Sequence, residues 1–178
     1  MRKSILYSTI LFLLVSVLNC GCLDDVDELY TMQISYDVDI PAGLSTIQTH
    51  FFTVRNLPTR YTSFRDANNY QDEDIGQIIA GNATLTTQFE DVDLNFVQGV
   101  EIHLINPLDP SKRSEAFYLE FEEFGAKTDI RLIPSLPDLS TYIKNGNVNV
   151  EMQLNLRGFS PINMRMRMIM EFLVLGIE

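Results

Sequence analysis

A chain of 178 residues with 46% hydrophobic residues has the composition of one globular domain, neither disordered nor repetitive. Its 24 acidic residues outnumber 13 basic ones, and the net charge of −11 repels nucleic-acid phosphates and anionic lipid headgroups, which makes both poor partners. No cysteine follows Cys22, so the rest of the chain has neither a disulfide framework nor a thiol nucleophile. The pair Cys20 and Cys22 falls short of the four ligands of a closed zinc site.

The first element is a leader. Arg2 and Lys3 precede an apolar run of 14 residues, "ILYSTILFLLVSVL" from Ile5 to Leu18. As a helix it would rise about 21 Å, against a hydrocarbon core of about 30 Å. The spacing predicts a signal peptide over residues 1–21, not a membrane span. A cysteine with Gly21 before it closes the run, and "LDDVDE" follows. These residues resemble a bacterial lipoprotein signal, in which cleavage exposes a cysteine that becomes acylated. Cys22 has Gly21 before it, as that family prefers, although Asn19 stands where an aliphatic residue is usual; Cys20 has Val17 at that place but Asn19 directly before it. Cys22 is therefore the expected lipidation site and Cys20 the alternative. The acidic stretch resembles that of Bacteroidota lipoproteins, where acids just after the acylated cysteine resemble a surface-export signal. Asp24, Asp25, Asp27 and Glu28 would be its elements; the plainer reading of residues 22–29 is a solvated tether. The resemblance implies a membrane partner held through acyl chains, an outer-membrane and cell-surface location, and other envelope proteins as partners. Several buried acyl chains hold stably where one is marginal. Without the leader, 11 basic residues stand against 24 acidic ones, a net charge of −13.

From residue 30 to 178 alternation dominates. "YTMQISYDVDI" puts Tyr30, Met32, Ile34, Tyr36, Val38 and Ile40 on one face of a strand with one wet side. "PAG" turns the chain, "STIQTHFFTVR" supplies a second strand, and "RYTSF" reads as a short third. Asp72 to Ile79 reads as briefly helical, followed by a strand in "NATLTTQF". "DVDLNF" reads as one helical turn leading into the strand "VQGVEIHLI". "AFYLEFEEF" and "TDIRLI" are further strands. "PDLSTYIKNGN" is a short helix stopped by the turn pair Asn145-Gly146, and "VNVEMQLNLR" is a strand with Val148, Val150, Met152, Leu154 and Leu156 inward. The last segment alternates from Ile162 to Val174, long enough to predict a bend or bulge near Ile169. About eight short strands with Gly, Pro and Asn between them predict an all-β fold, an antiparallel β-sandwich of Ig-like or similar Greek-key kind.

Candidate chemistry is sparse. Met164, Met166, Met168 and Met170 share a face that continues into Phe172 and Val174, which is the pattern of a core stripe and not of a copper site. Glu120 and Glu122 on one strand would stand about 7 Å apart, within the separation of an inverting glycosidase pair; as alternation partners of Leu119 and Phe121 they most simply form a wet face. His50 and His103 are the two histidines, with no nucleophile elbow near either. Asp66, Asn68, Asp72 and Asp74 offer hard oxygens for calcium but miss the EF-hand pattern. No cofactor motif is present. The expected function is a non-catalytic, lipid-anchored binding or assembly module. The alternative is an anchored carrier with an apolar ligand between its sheets, and a glycoside hydrolase is the more remote one.

Overall fold

The computed structural model describes residues 27–88, 92–121 and 123–177. Eight strands lie among them: β1 (Glu28–Ile40), β2 (His50–Pro58), β3 (Ile75–Thr87), β4 (Val97–Asn106), β5 (Asp109–Leu119), β6 (Asp129–Pro134), β7 (Asn147–Leu156) and β8 (Met164–Gly176). Two short helices, α1 (Tyr61–Ala67) and α2 (Ser140–Ile143), and two 3-10 turns, Asp72–Asp74 and Leu94–Phe96, complete the set.

Every strand pair is antiparallel, in the order β1-β8-β3-β6-β5-β4-β7-β2. Between β5 and β6 the ladder narrows to Phe117 opposite Pro134 and Tyr118 opposite Ile133. At that seam the order divides into two four-stranded sheets, β1-β8-β3-β6 and β5-β4-β7-β2. Their apolar faces share one core cluster, in which Phe117 of one sheet meets Phe172 of the other edge-on at 5.6 Å. That strand order is the jelly roll, the double-Greek-key form of the expected antiparallel sandwich.

The core is built by alternation. On β8, Met164, Met166, Met168, Met170, Phe172 and Val174 are buried, and β7 buries Val148 through Leu156 at every second position. Each such large apolar side chain contributes roughly 1.5–3 kcal/mol when fully buried. The methionine stripe is therefore core, as its continuation into Phe172 indicated.

Several local expectations change. β1 opens at Glu28, and the Asp27 carbonyl accepts a hydrogen bond from Gly176 N at 3.0 Å, so the last two residues assigned to the tether belong to the sheet. "RYTSF" is not a strand but most of α1. Tyr61 is buried and its hydroxyl donates to Asp72 at 2.6 Å, while Arg65 pairs with Asp66 at 2.8 Å and Asp72 at 2.9 Å. These anchors hold a seven-residue helix that has no side-chain N-cap. The helix expected over Asp72 to Ile79 shrinks to one 3-10 turn, because β3 begins at Ile75 to pair with the end of β8. The irregularity expected near Ile169 falls instead on the partner strand, where β3 shifts register between Ala80 and Ala83 while β8 keeps regular pairing with β1 from Tyr30 to Ile40.

Strand directions sort the connections. Residues 59–74, 107–108 and 135–146 lie at the end where β1 starts and β8 stops. Residues 41–49, 88, 92–96, 120–121, 123–128 and 157–163 lie at the opposite, distal end.

Candidate functional site

The outer face of the β5-β4-β7 sheet gathers titratable groups. Glu101 and His103 are successive outward positions on β4, and the register sets Glu151 of β7 directly across from His103 on one side. On the other side stands Glu115 of β5. Plain alternation would put Glu115 on the same face as Phe117, which is wholly buried. A bulge makes the difference: Phe117 pairs with Ile102 and Glu115 with His103, leaving Ala116 as the extra residue. Ala116 and Phe117 both point inward and are buried, so Glu115 and Tyr118 emerge outside. The structure thus brings Glu101, His103 and Glu115 together, with one potential ligand atom of each within 4.8 Å of the others.

Neighbours hold this group in place. The Ser135 hydroxyl donates to Glu115 Oε1 at 2.6 Å, Arg113 pairs with Glu151 at 3.0 Å, and the Gln153 side-chain nitrogen lies 3.5 Å from His103 Nδ1. Burial of the ring, aided by Arg113, outweighs Glu101, Glu115 and Glu151 and holds the His103 imidazole below its usual pKa, hence neutral at physiological pH. Beside the cluster lies an open depression of about 540 Å³, lined by Glu101, Glu115, Tyr118, Glu120, Ser135 and Leu136.

Glu120 does not sit on a strand: β5 stops at Leu119, and Glu120 is exposed beyond it. The chain passes so close to β4 there that a Cβ on Gly99 would fall 2.9 Å from the Leu119 carbonyl oxygen. Glu122 lies outside the described residues, as do Cys20, Cys22, Asp24 and Asp25. Asp27 and Glu28 are exposed at the mouth of β1, where Glu28 accepts a hydrogen bond from Thr31 at 2.8 Å. His50 is buried, its Nε2 2.8 Å from the Ser45 carbonyl oxygen. The four calcium candidates are engaged in other contacts. Asp66 and Asp72 meet Arg65, Asp74 accepts from Gln71 N at 2.7 Å, and Asn68 donates to the Phe64 carbonyl at 2.8 Å. The Tyr61 hydroxyl, then Arg65, hold the Asp72 carboxyl below its ordinary range.

The distal end has a different character. Ile47, Phe121, Phe124 and Phe159 are all exposed there. The Arg157 guanidinium lies 4.9 Å from the Phe121 ring centre and 4.4 Å from that of Phe124, within cation–π range. The loops are tied to one another. Asp93 Oδ1 accepts from Lys127 N at 3.1 Å, Leu94 N donates to the Lys127 carbonyl at 2.8 Å, and Arg157 N donates to the Phe96 carbonyl at 2.9 Å. Buried Ser160 donates its hydroxyl to the Pro41 carbonyl at 2.6 Å and accepts from Leu44 N at 2.9 Å.

The sequence patterns singled out neither Glu101 nor Glu115, and offered His103 only as a histidine with no nucleophile elbow near it. A signal did exist for two of the three members, since "EIH" puts Glu101 and His103 two apart on one strand face. Glu115 had none, because the bulge that turns it outward arises from the fit of β5 onto β4.

No protein-family model matches the chain, and no curated protein matches it. Among solved structures it is similar to the capsid asymmetric unit of cyanophage Pam1, at 14% identity over 80% of this chain and 84% of that one, with a TM-score of 0.36. It is also similar to the capsid of Ralstonia phage GP4, at 13% identity over 89% of each chain, with a TM-score of 0.31. The jelly-roll assignment rests on the strand order itself.

Proposed function

We propose that the protein is a lipid-anchored outer-membrane lipoprotein, displayed at the cell surface, that acts as a non-catalytic binding or assembly module for another envelope protein. The observation that carries this reading is that Phe121 and Phe124, joined through Arg157, and also Ile47 and Phe159 are exposed on mutually tied loops at the end of the sandwich opposite the start of β1. Exposed apolar side chains grouped on preordered loops suit a protein partner, because little loop entropy remains to be lost on binding.

The anchor fits that geometry. Six residue steps separate Cys22 from Glu28, at most about 20 Å of chain. An acyl group on Cys22 would hold the α1 end near the bilayer and leave the distal loops pointing away from it. Acylation on Cys20 would add about 7 Å.

Three measurements test the parts separately. Labelled fatty acid should enter the protein and be lost in Cys22→Ala; loss in Cys20→Ala instead moves the site by two residues. Proteins cross-linked to the chain on intact cells should disappear from the Phe121→Ser, Phe124→Ser, Phe159→Ser triple variant while its unfolding midpoint changes little. An unchanged set of cross-linked proteins would remove the distal loops as the binding surface. Changing Asp24, Asp25 and Asp27 to Ala leaves β1 untouched, and should shield the protein from protease added to intact cells if these acids are an export signal. Unchanged protease sensitivity would make them a tether.

A further inference from the structure

We propose that Glu101, His103 and Glu115 form a binding site for one divalent transition-metal ion of the zinc class on the outer face of β4 and β5. Their ligand atoms already lie within 4.8 Å of one another. An ion at about 2.0–2.2 Å from each nitrogen and oxygen needs the three drawn in by an ångström or so, which rotation of two glutamate side chains supplies. One imidazole and two carboxylates form a mixed nitrogen and oxygen set that suits such ions better than calcium or magnesium, which favour oxygen alone.

Three further features favour a built site over a chance cluster of acids. The bulge at Ala116 turns Glu115 out of the phase that its neighbour Phe117 dictates and sets it opposite His103; bulges often re-aim a side chain beside a functional site. An outer contact holds one of the ligands, the Ser135 hydroxyl on Glu115, the kind of support that orients metal ligands. Charge is also left over. Arg113 pairs with Glu151, whereas no cation pairs with Glu101 or Glu115 among the described residues. The depression lined by Tyr118, Glu120 and Ser135 opens on the same group, so the ion's remaining positions would face water or an incoming ligand. Three protein ligands with an open position is the pattern of an exchangeable site, as opposed to a closed structural one.

The test uses the purified full-length chain in detergent, titrated with Zn²⁺ and separately with Mg²⁺ by calorimetry, with Co²⁺ absorption reporting the ligand set. One Zn²⁺ should bind per chain, with at least tenfold preference over Mg²⁺. His103→Gln and Glu115→Gln should each weaken Zn²⁺ at least tenfold, Ser135→Ala severalfold, and His50→Gln not at all. The metal-free unfolding midpoints, measured alongside, confirm that each variant is folded. Equal affinity for Mg²⁺, unchanged Zn²⁺ affinity in folded His103→Gln, or loss of binding only when Asp24, Asp25 and Asp27 are changed would each overturn the site.

Discussion

β8 and β5 are both long strands of the same sandwich, yet one obeys its sequence pattern and the other breaks it. Along β8, Met164 to Val174 turn inward at every second residue, while Arg165 and Arg167 stay outside and meet Asp39 and Asp37 of β1 at 2.8 and 2.9 Å. Along β5, Ala116 and Phe117 are neighbours in sequence and both buried, so every residue before them has changed face. The period-2 pattern holds along β8, which pairs regularly with β1 from Tyr30 to Ile40 while the register shifts beside it fall in β3. It fails where a single inserted residue adapts one strand to the curvature of its partner. In this protein the failure coincides with the titratable cluster, and the obedient strand carries only core and paired surface charge.

Substitutions can break or sharpen that contrast. The largest expected effect comes from Ile102→Asp, which places an unpaired charge opposite Phe117, where Ile102 is wholly buried. It should cost about 3–5 kcal/mol, read as a lost or strongly lowered urea midpoint. Phe172→Ala on β8 removes the ring that meets Phe117 across the two sheets. It should also cost about 3–5 kcal/mol, with the slope of the unfolding transition unchanged.

The bulge itself is tested by Ala116→Leu. In a regular strand residue 116 would face water and tolerate leucine. Buried as it is, it should lose about 1–3 kcal/mol through overpacking, and a neutral result would contradict the bulge. The smallest effect is expected at the regular end, where the ion pairs of β1 and β8 are solvent-exposed and Asp37→Asn should barely move the midpoint at neutral pH. Hydrogen bonds from Arg167 and Arg165 hold the Asp37 and Asp39 carboxyls below their ordinary range. Their small contribution is therefore complete above the ordinary carboxylate pKa and is lost as pH falls through the lowered folded values. Wild type and Asp37→Asn should converge in stability in that acid window and stay parallel above it.

The candidate cluster was half legible for the same reason. Glu101 and His103 share a face by spacing alone, whereas the approach of Glu115 and Glu151 depends on which strands flank β4. α1 was misread because "RYTSF" has no amphipathic signal of its own; the Tyr61 hydroxyl on Asp72 and Arg65 between two aspartates make it a helix. Local propensity in so short a segment is weaker than a few tertiary contacts.

The sequence by itself determined the all-β class, the inward rows of β1, β7 and β8, the methionine stripe as core and the turn at Asn145-Gly146. Each of these follows from side-chain period or backbone preference acting within a few residues. Only the tertiary structure decided the jelly-roll order, the exposed loops collected at the end away from β1's start, and the meeting of Glu101, His103 and Glu115. Those depend on which distant strands pair and in what register, and register is set by the fit of whole sheets to a shared core.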